Sequence, residues 1–191
     1  MVEDEAIDLE DEEKLLLYVI GALNYAPLRS KIKIQKLIFL ISNVFRGFQQ
    51  LLHYEPHYLG PYSETLENTL NSLIRLGYIE AKDSNFRLTK KGVNIFESLT
   101  PKPELVRVIE DFKGFLNDLS DNEILAFIYT SYPEYISESV KWDELKPKRV
   151  NFAISLLKND KVSFGKAAEI AGLNQIEFDR ILKGRNLRWR E

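Results

Sequence analysis

Apolar positions recur every three or four residues through most of the chain and every second residue over one short stretch, which predicts a mainly helical protein with a single small β-hairpin. The run KLLLYVIGAL over 14–23 reads as an apolar helix closed by the turn formers from Asn24 to Pro27. A second helix follows in which Ile34, Leu37, Ile38, Ile41, Val44, Phe45 and Phe48 form one wide apolar stripe. Pro56, Gly60 and Pro61 then forbid helix across HYEPHYLGPYS, so this aromatic-rich segment must run extended. Ser63 is placed to cap a third helix, buried through Leu66, Leu70, Leu73 and Ile74 and stopped at Gly77. Strands are expected at 78–81 and 86–88 around the turn KDSN, after which KKGVNIFESL returns to helix. Three helices, a hairpin and a helix in that order make a winged helix-turn-helix domain over 14–100.

Pro101 and Pro103 mark the end of that module, and a helical connector is expected over 101–147. Its first helix is amphipathic through Leu105, Ile109, Phe112, Leu116 and Leu119, and its second begins at Ser120, which forms a capping-box pattern with Glu123. Tyr132, Tyr135 and Trp142 read as groove fillers between helices. The apolar stripes of these helices suit a partner within the chain or a second copy of it, so a homodimer is among the expectations. The last module, 148–191, holds VSFGKAAEIAGLNQIEFDRIL, in which Ala168, Gly172, Leu173, Phe178 and Ile181 have the spacing of two short helices crossing steeply around a tight turn. Gly172 supplies the turn, and Asn174 can cap the helix that follows.

Charge changes this picture in two places. Residues 1–13 carry eight carboxylates and no Lys or Arg, and such a leader is expected to be disordered; the rest of the chain then holds 26 cations against 21 carboxylates, although the whole is −3. The cations gather at Arg29, Lys31, Lys33 and Lys36, at Lys82, Arg87, Lys90 and Lys91, and at Lys183, Arg185, Arg188 and Arg190. Lysines at the start of a helix oppose its dipole, which hints at an anionic partner for the first cluster. Within the third helix Asn68, Asn71 and Arg75 are the residues able to face base edges, while Glu64 and Glu67 would repel phosphate.

Candidate catalytic chemistry is sparse. The absence of cysteine excludes disulfides, thiolate catalysis and cysteine-ligated zinc. His53 and His57 have a four-residue spacing, but Pro56 breaks the helix on which that spacing would make a metal pair. No phosphate-binding glycine loop, dinucleotide fingerprint or HExxH occurs, so neither an enzyme nor a cofactor or metal site is expected. Acidic first residues and the lack of a long apolar run point to a cytoplasmic protein with no membrane segment.

Two resemblances add to this reading. The run from KIQKLIFLI through HYLGPYSETL to LGYIEA and FRLTKKG, over about 14–99, resembles a prokaryotic winged-helix family of the YwgA type, with LGPYS and LTKKG its most specific pieces. What this implies is the fold; the family brings no defined ligand or operator. Residues 148–188 resemble short prokaryotic helix-turn-helix proteins, several of them antitoxin-like. By that resemblance Asn174, Gln175, Asp179, Arg180 and Lys183 form the outer face of a reading helix, a face made less cationic by Glu177 and Asp179. The expectation is a regulator of double-stranded DNA, antitoxin-like, with a toxin as one kind of protein partner. In it Asn68, Asn71, Gln175 and Arg180 supply selectivity, Asn174 belongs to the same DNA-facing surface, and Arg75, Lys82, Arg87, Lys90, Lys91, Lys183, Arg185, Arg188 and Arg190 supply cations. The alternative is a protein-interaction adaptor that reuses the same folds.

Overall fold

The computed structural model describes residues 9–187 and residue 189. They are mainly helical with one small three-stranded antiparallel sheet, and they separate into two units: residues up to Glu55 with Pro61–Asp118, and Pro56–Gly60 with the residues from Leu119 onward.

In the first unit α1 (Asp11–Tyr25) starts earlier than the apolar pattern suggested. Acidic residues in its first turn favour the helix dipole, the Glu10 amide donates to the Glu13 carboxylate at 3.0 Å, and Leu9 is buried. The part of the expected leader from Leu9 to Glu13 is therefore built into the fold, while residues 1–8 lie outside the described residues. The regular helix stops at Ala22, after which Leu23, Asn24 and Tyr25 take left-handed φ of 54°, 51° and 60°. This reversal sends the chain into β1 (Leu28–Arg29), a strand too short to leave a two-residue period in the sequence. The hairpin of β2 (Ile79–Lys82) and β3 (Asn85–Leu88) turns at Asp83 and Ser84, both with positive φ, as a two-residue hairpin loop requires. β1 pairs with β3, Leu28 opposite Phe86, to give the order β1-β3-β2.

The expected helix through Phe48 is two helices, α2 (Lys31–Val44) and α3 (Arg46–Leu52), because Phe45 turns extended between them and meets Phe48 edge to face. α4 (Glu64–Arg75) and α5 (Lys90–Ser98) are capped by Ser63 and Thr89, whose hydroxyls accept from the amides of Leu66 and Gly92. A Cβ on Gly92 would lie 2.0 Å from the Tyr78 carbonyl oxygen, so only glycine lets α5 lie this close to the hairpin. α6 (Pro103–Asn117) packs on α1 and α2 and buries Ile109 and Leu116. The first unit thus extends past the proline boundary at 101–103, and the segment read as a connector is divided between the two units. Lys113 on α6 is fully buried and donates to the carbonyls of Ile20 (2.8 Å) and Ala22 (2.7 Å), where α1 runs out of amides to bond them. Burial pushes its ammonium down to about 7.

The second unit comprises α7 (Asp121–Ser131), α8 (Trp142–Leu145), α9 (Arg149–Lys158), α10 (Phe164–Ala171) and α11 (Gln175–Gly184), with short 3-10 turns around α8. Ser120 and Glu123 form the expected capping box. Tyr129 is buried in this unit: its hydroxyl bonds Ser139 Oγ at 2.6 Å, its ring edge meets Trp142, and Gly60 lies against its ring. Apolar residues of α7, α9, α10 and α11, among them Ile128, Leu156, Ile170 and Phe178, complete the core.

Candidate nucleic-acid interface

The residues expected to read or hold an anion are divided between the two units. On α4, Glu64, Asn68, Asn71 and Arg75 are all exposed, and their spacing of four, three and four residues places them on one stripe opposite the buried Leu66, Leu70 and Leu73. Glu67 stands aside from that stripe, paired with Lys31 from the start of α2. Its repulsion of a phosphate is therefore partly cancelled within the fold. Asn68, Asn71 and Arg75 leave their side chains to solvent.

The hairpin carries the next group. Glu80 and Arg87 face each other across β2 and β3 and form an ion pair at 3.2 Å. Lys91 is tied more closely, donating to the Leu76 carbonyl at 3.2 Å with its ammonium 4.2 Å from the centre of the Tyr78 ring. Lys82 beside the turn and Lys90 at the head of α5 are exposed and form no ion pair among the described residues.

The first basic cluster is a different matter. Lys33 and Lys36 are 5% and 2% exposed, so they present no charge to a partner. Lys33 donates to the Asn117 carbonyl at 2.8 Å and Lys36 to the Pro61 carbonyl at 2.7 Å. Their work is internal. Gln35 between them exchanges two hydrogen bonds of 3.0 Å with the backbone of Ser63, and the Ser63 hydroxyl donates to the Leu52 carbonyl. These bonds fasten the extended segment to α2 and fix the point at which α4 begins. The hint of an anionic partner drawn from lysines at a helix start is corrected accordingly, since backbone carbonyls are what hold two of them there.

In the second unit α10 and α11 are joined by Gly172, Leu173 and Asn174. Gly172 has φ +75°, and a Cβ there would come within 2.6 Å of the Arg149 guanidinium. That guanidinium donates to the carbonyls of Ile170 (2.7 Å) and Glu169 (2.9 Å), closing the C-terminal end of α10 from the side of α9. Burial lowers the pKa of Arg149 against the opposing pull of Glu169. Neither the sequence period nor the charge pattern singles out Arg149.

Gln175, Arg180, Lys183 and Arg185 are exposed. The Asn174 side chain is already engaged, accepting from the Glu177 amide at 2.9 Å while Glu177 accepts from the Asn174 amide at 3.1 Å. Asp179 pairs with Lys183 at 2.6 Å, and Arg185 donates to the Asn151 side chain at 2.8 Å. Each carboxylate that made this face look unsuited to DNA therefore has a local partner. Arg188 and Arg190 lie outside the described residues.

Among the described residues no group of three or more histidine, cysteine or acidic side chains could hold a metal ion, and no helix is long and apolar enough to cross a membrane. His53 ends α3 in a left-handed conformation, and His57 lies against the ring of Tyr58.

Residues 128–191 match the model of an uncharacterised protein family, UPF0175. The match spans the segment likened above to short helix-turn-helix proteins and none of residues 14–99, for which the comparisons give no support to the YwgA-type resemblance. No curated protein matches the chain.

Proposed function

We propose that this chain is a DNA-binding regulator with a winged helix-turn-helix in its first unit and an antitoxin-like helix-turn-helix in its second. The observation that carries the reading is the exposed stripe of Asn68, Asn71 and Arg75 on α4, a helix that leads directly into a hairpin bearing Lys82 and Arg87. Amide and guanidinium groups suit base edges in the major groove, and cations on an adjoining hairpin suit flanking phosphates. The strand β1 supports the same reading, since it adds the third strand of a winged sheet. The connection from α2 to α4 is longer than a tight turn, and the bonds of Gln35 and Lys36 to Ser63 and Pro61 supply the rigidity that a short turn would give.

A second reading, an adaptor that binds a protein such as a toxin, is favoured by a specific feature of the second unit. Tyr58 and Val140 are 60% and 66% exposed, and the Val140 amide donates to the Tyr58 carbonyl, so the two apolar residues adjoin. Anisotropy titrations of the full chain against a mixed-sequence duplex, repeated across salt concentrations, separate the two. For a DNA binder the logarithm of the affinity falls linearly with log salt, and Lys82→Ala and Lys90→Ala each lower the slope by about one. No binding at low salt, or binding indifferent to salt, leaves the adaptor.

A further inference from the structure

We infer that α11 is a base-reading helix for an adenine next to a thymine, with Ile176 seated on the thymine methyl group and Gln175 on the adenine edge. The inference rests on the DNA-binding reading and extends it to a residue and a base composition.

Ile176 is 75% exposed in the first turn of α11. A branched apolar side chain so far out of the core gains nothing from the fold, and its neighbours are not apolar: Gln175, Asp179, Arg180 and Lys183 lie within one arc of about 140° around the helix when each residue advances 100°. Within that arc the Asp179 and Lys183 charges cancel in their ion pair, and the nearby Glu177 is turned back onto the Asn174 amide. What the face presents outward is the Ile176 branch and the Arg180 guanidinium, with the Gln175 amide, exposed but beside Gly165 of α10, at its edge.

A protein surface that buried Ile176 would have to accept this polar surround as well. The major groove of DNA already has that composition. Its floor is made of hydrogen-bonding edges with one apolar group, the thymine C5 methyl, and a glutamine amide matches the paired acceptor and donor of adenine N7 and N6. Adjacent positions at the start of a helix reach neighbouring bases, and Arg180, one turn on, is left for a phosphate or a guanine. Gly172 and the Asn174 cap hold the first turn of α11 rigid, so the two readers keep their relative placement.

The test begins by selecting preferred sites from a random duplex library with the full chain. Each thymine of the selected site is then replaced by uracil, which deletes only the methyl group. One position should lose affinity about fourfold, the worth of one methyl group withdrawn from water. With Ile176→Ser, a change at an exposed position, uracil and thymine should bind alike at that position. Gln175→Ala should relax the preference for the adjoining adenine about five- to tenfold. A selected site with no uracil-sensitive thymine, or a sensitivity that survives Ile176→Ser, overturns the inference and leaves DNA binding intact. So does an Ile176→Ser variant with unchanged site selection and a lower oligomeric state in sedimentation, which would make Ile176 a protein contact. Failure to bind any duplex removes the proposed function itself, and is seen at the selection step before uracil is introduced.

Discussion

Replacing Gly172 by alanine should unfold the second unit more readily than backbone strain alone explains. The strain is the smaller part: an L residue held at φ +75° costs about 1–2 kcal/mol relative to glycine. The added methyl group also occupies space 2.6 Å from Arg149 Nη1 and 2.9 Å from its Cζ, so the guanidinium must move. In moving it loosens its bonds to the carbonyls of Ile170 and Glu169, a loss worth about one hydrogen bond of a charged donor, about 1.5–3 kcal/mol. The total is about 2.5–5 kcal/mol. A double-mutant cycle divides it. With Arg149→Ala in place the methyl group meets no guanidinium, and Gly172→Ala should then cost only the strain, which leaves a coupling of about 2 kcal/mol. Urea unfolding followed by tryptophan fluorescence suits the measurement, because the Trp142 ring lies 5.2 Å from the Arg149 guanidinium. Additive costs in the two backgrounds would refute the argument, since they would show that Gly172 and Arg149 do not share the space the structure gives them.

Lys113 gives a pH prediction. Its folded pKa near 7 lies below the ordinary 10.5, so the folded state binds fewer protons than the unfolded one between those values and stability rises with pH across that window. Relative to Lys113→Met, the parent chain should gain up to about 1.4 kcal/mol per pH unit from pH 7 toward 10 in chemical denaturation, and parallel profiles would contradict a buried ammonium. Ser63→Ala removes both the cap of α4 and the bond to Leu52, and should cost about 1–2 kcal/mol in thermal unfolding; an unchanged midpoint would deny that Ser63 fixes the start of α4. A fragment ending at Thr100 should give poorly dispersed amide spectra, because it lacks α6 and the Lys113 bonds to α1. A well-dispersed spectrum would place the boundary back at the prolines.

Local rules made much of the fold legible. The Ser63 cap, the Ser120 capping box and the turn at Gly172 are set by groups within a few residues of one another, and their spacing alone announces them. The strand β1 depends on a partner almost sixty residues further on, so nothing within its own two residues reveals it. The buried lysines fail for the same reason: Lys33, Lys36 and Lys113 are held by carbonyls distant in sequence, and a charge-based reading sends them outward. One clue was present. Lys113 falls on the same three-to-four spacing as Ile109, Phe112 and Leu116, inside the stripe that the period assigns to the core. At the candidate interface Asn174, which the sequence offered both as a helix cap and on the outer face of the reading helix, has its side-chain oxygen engaged as the cap.

The three buried lysines also make the protein a recorder of its own opening. An amine-acylating reagent meets Lys82 and Lys90 at once, because both stand in solvent, but reaches Lys33, Lys36 and Lys113 only when the carbonyls that hold them let go. Each reports on a different joint of the first unit: Lys113 on α6 against α1, Lys33 on α2 against the end of α6, and Lys36 on the segment that leads into α4. The order in which the three acquire label is the order in which those joints loosen, read by mass spectrometry from the native chain without any substitution.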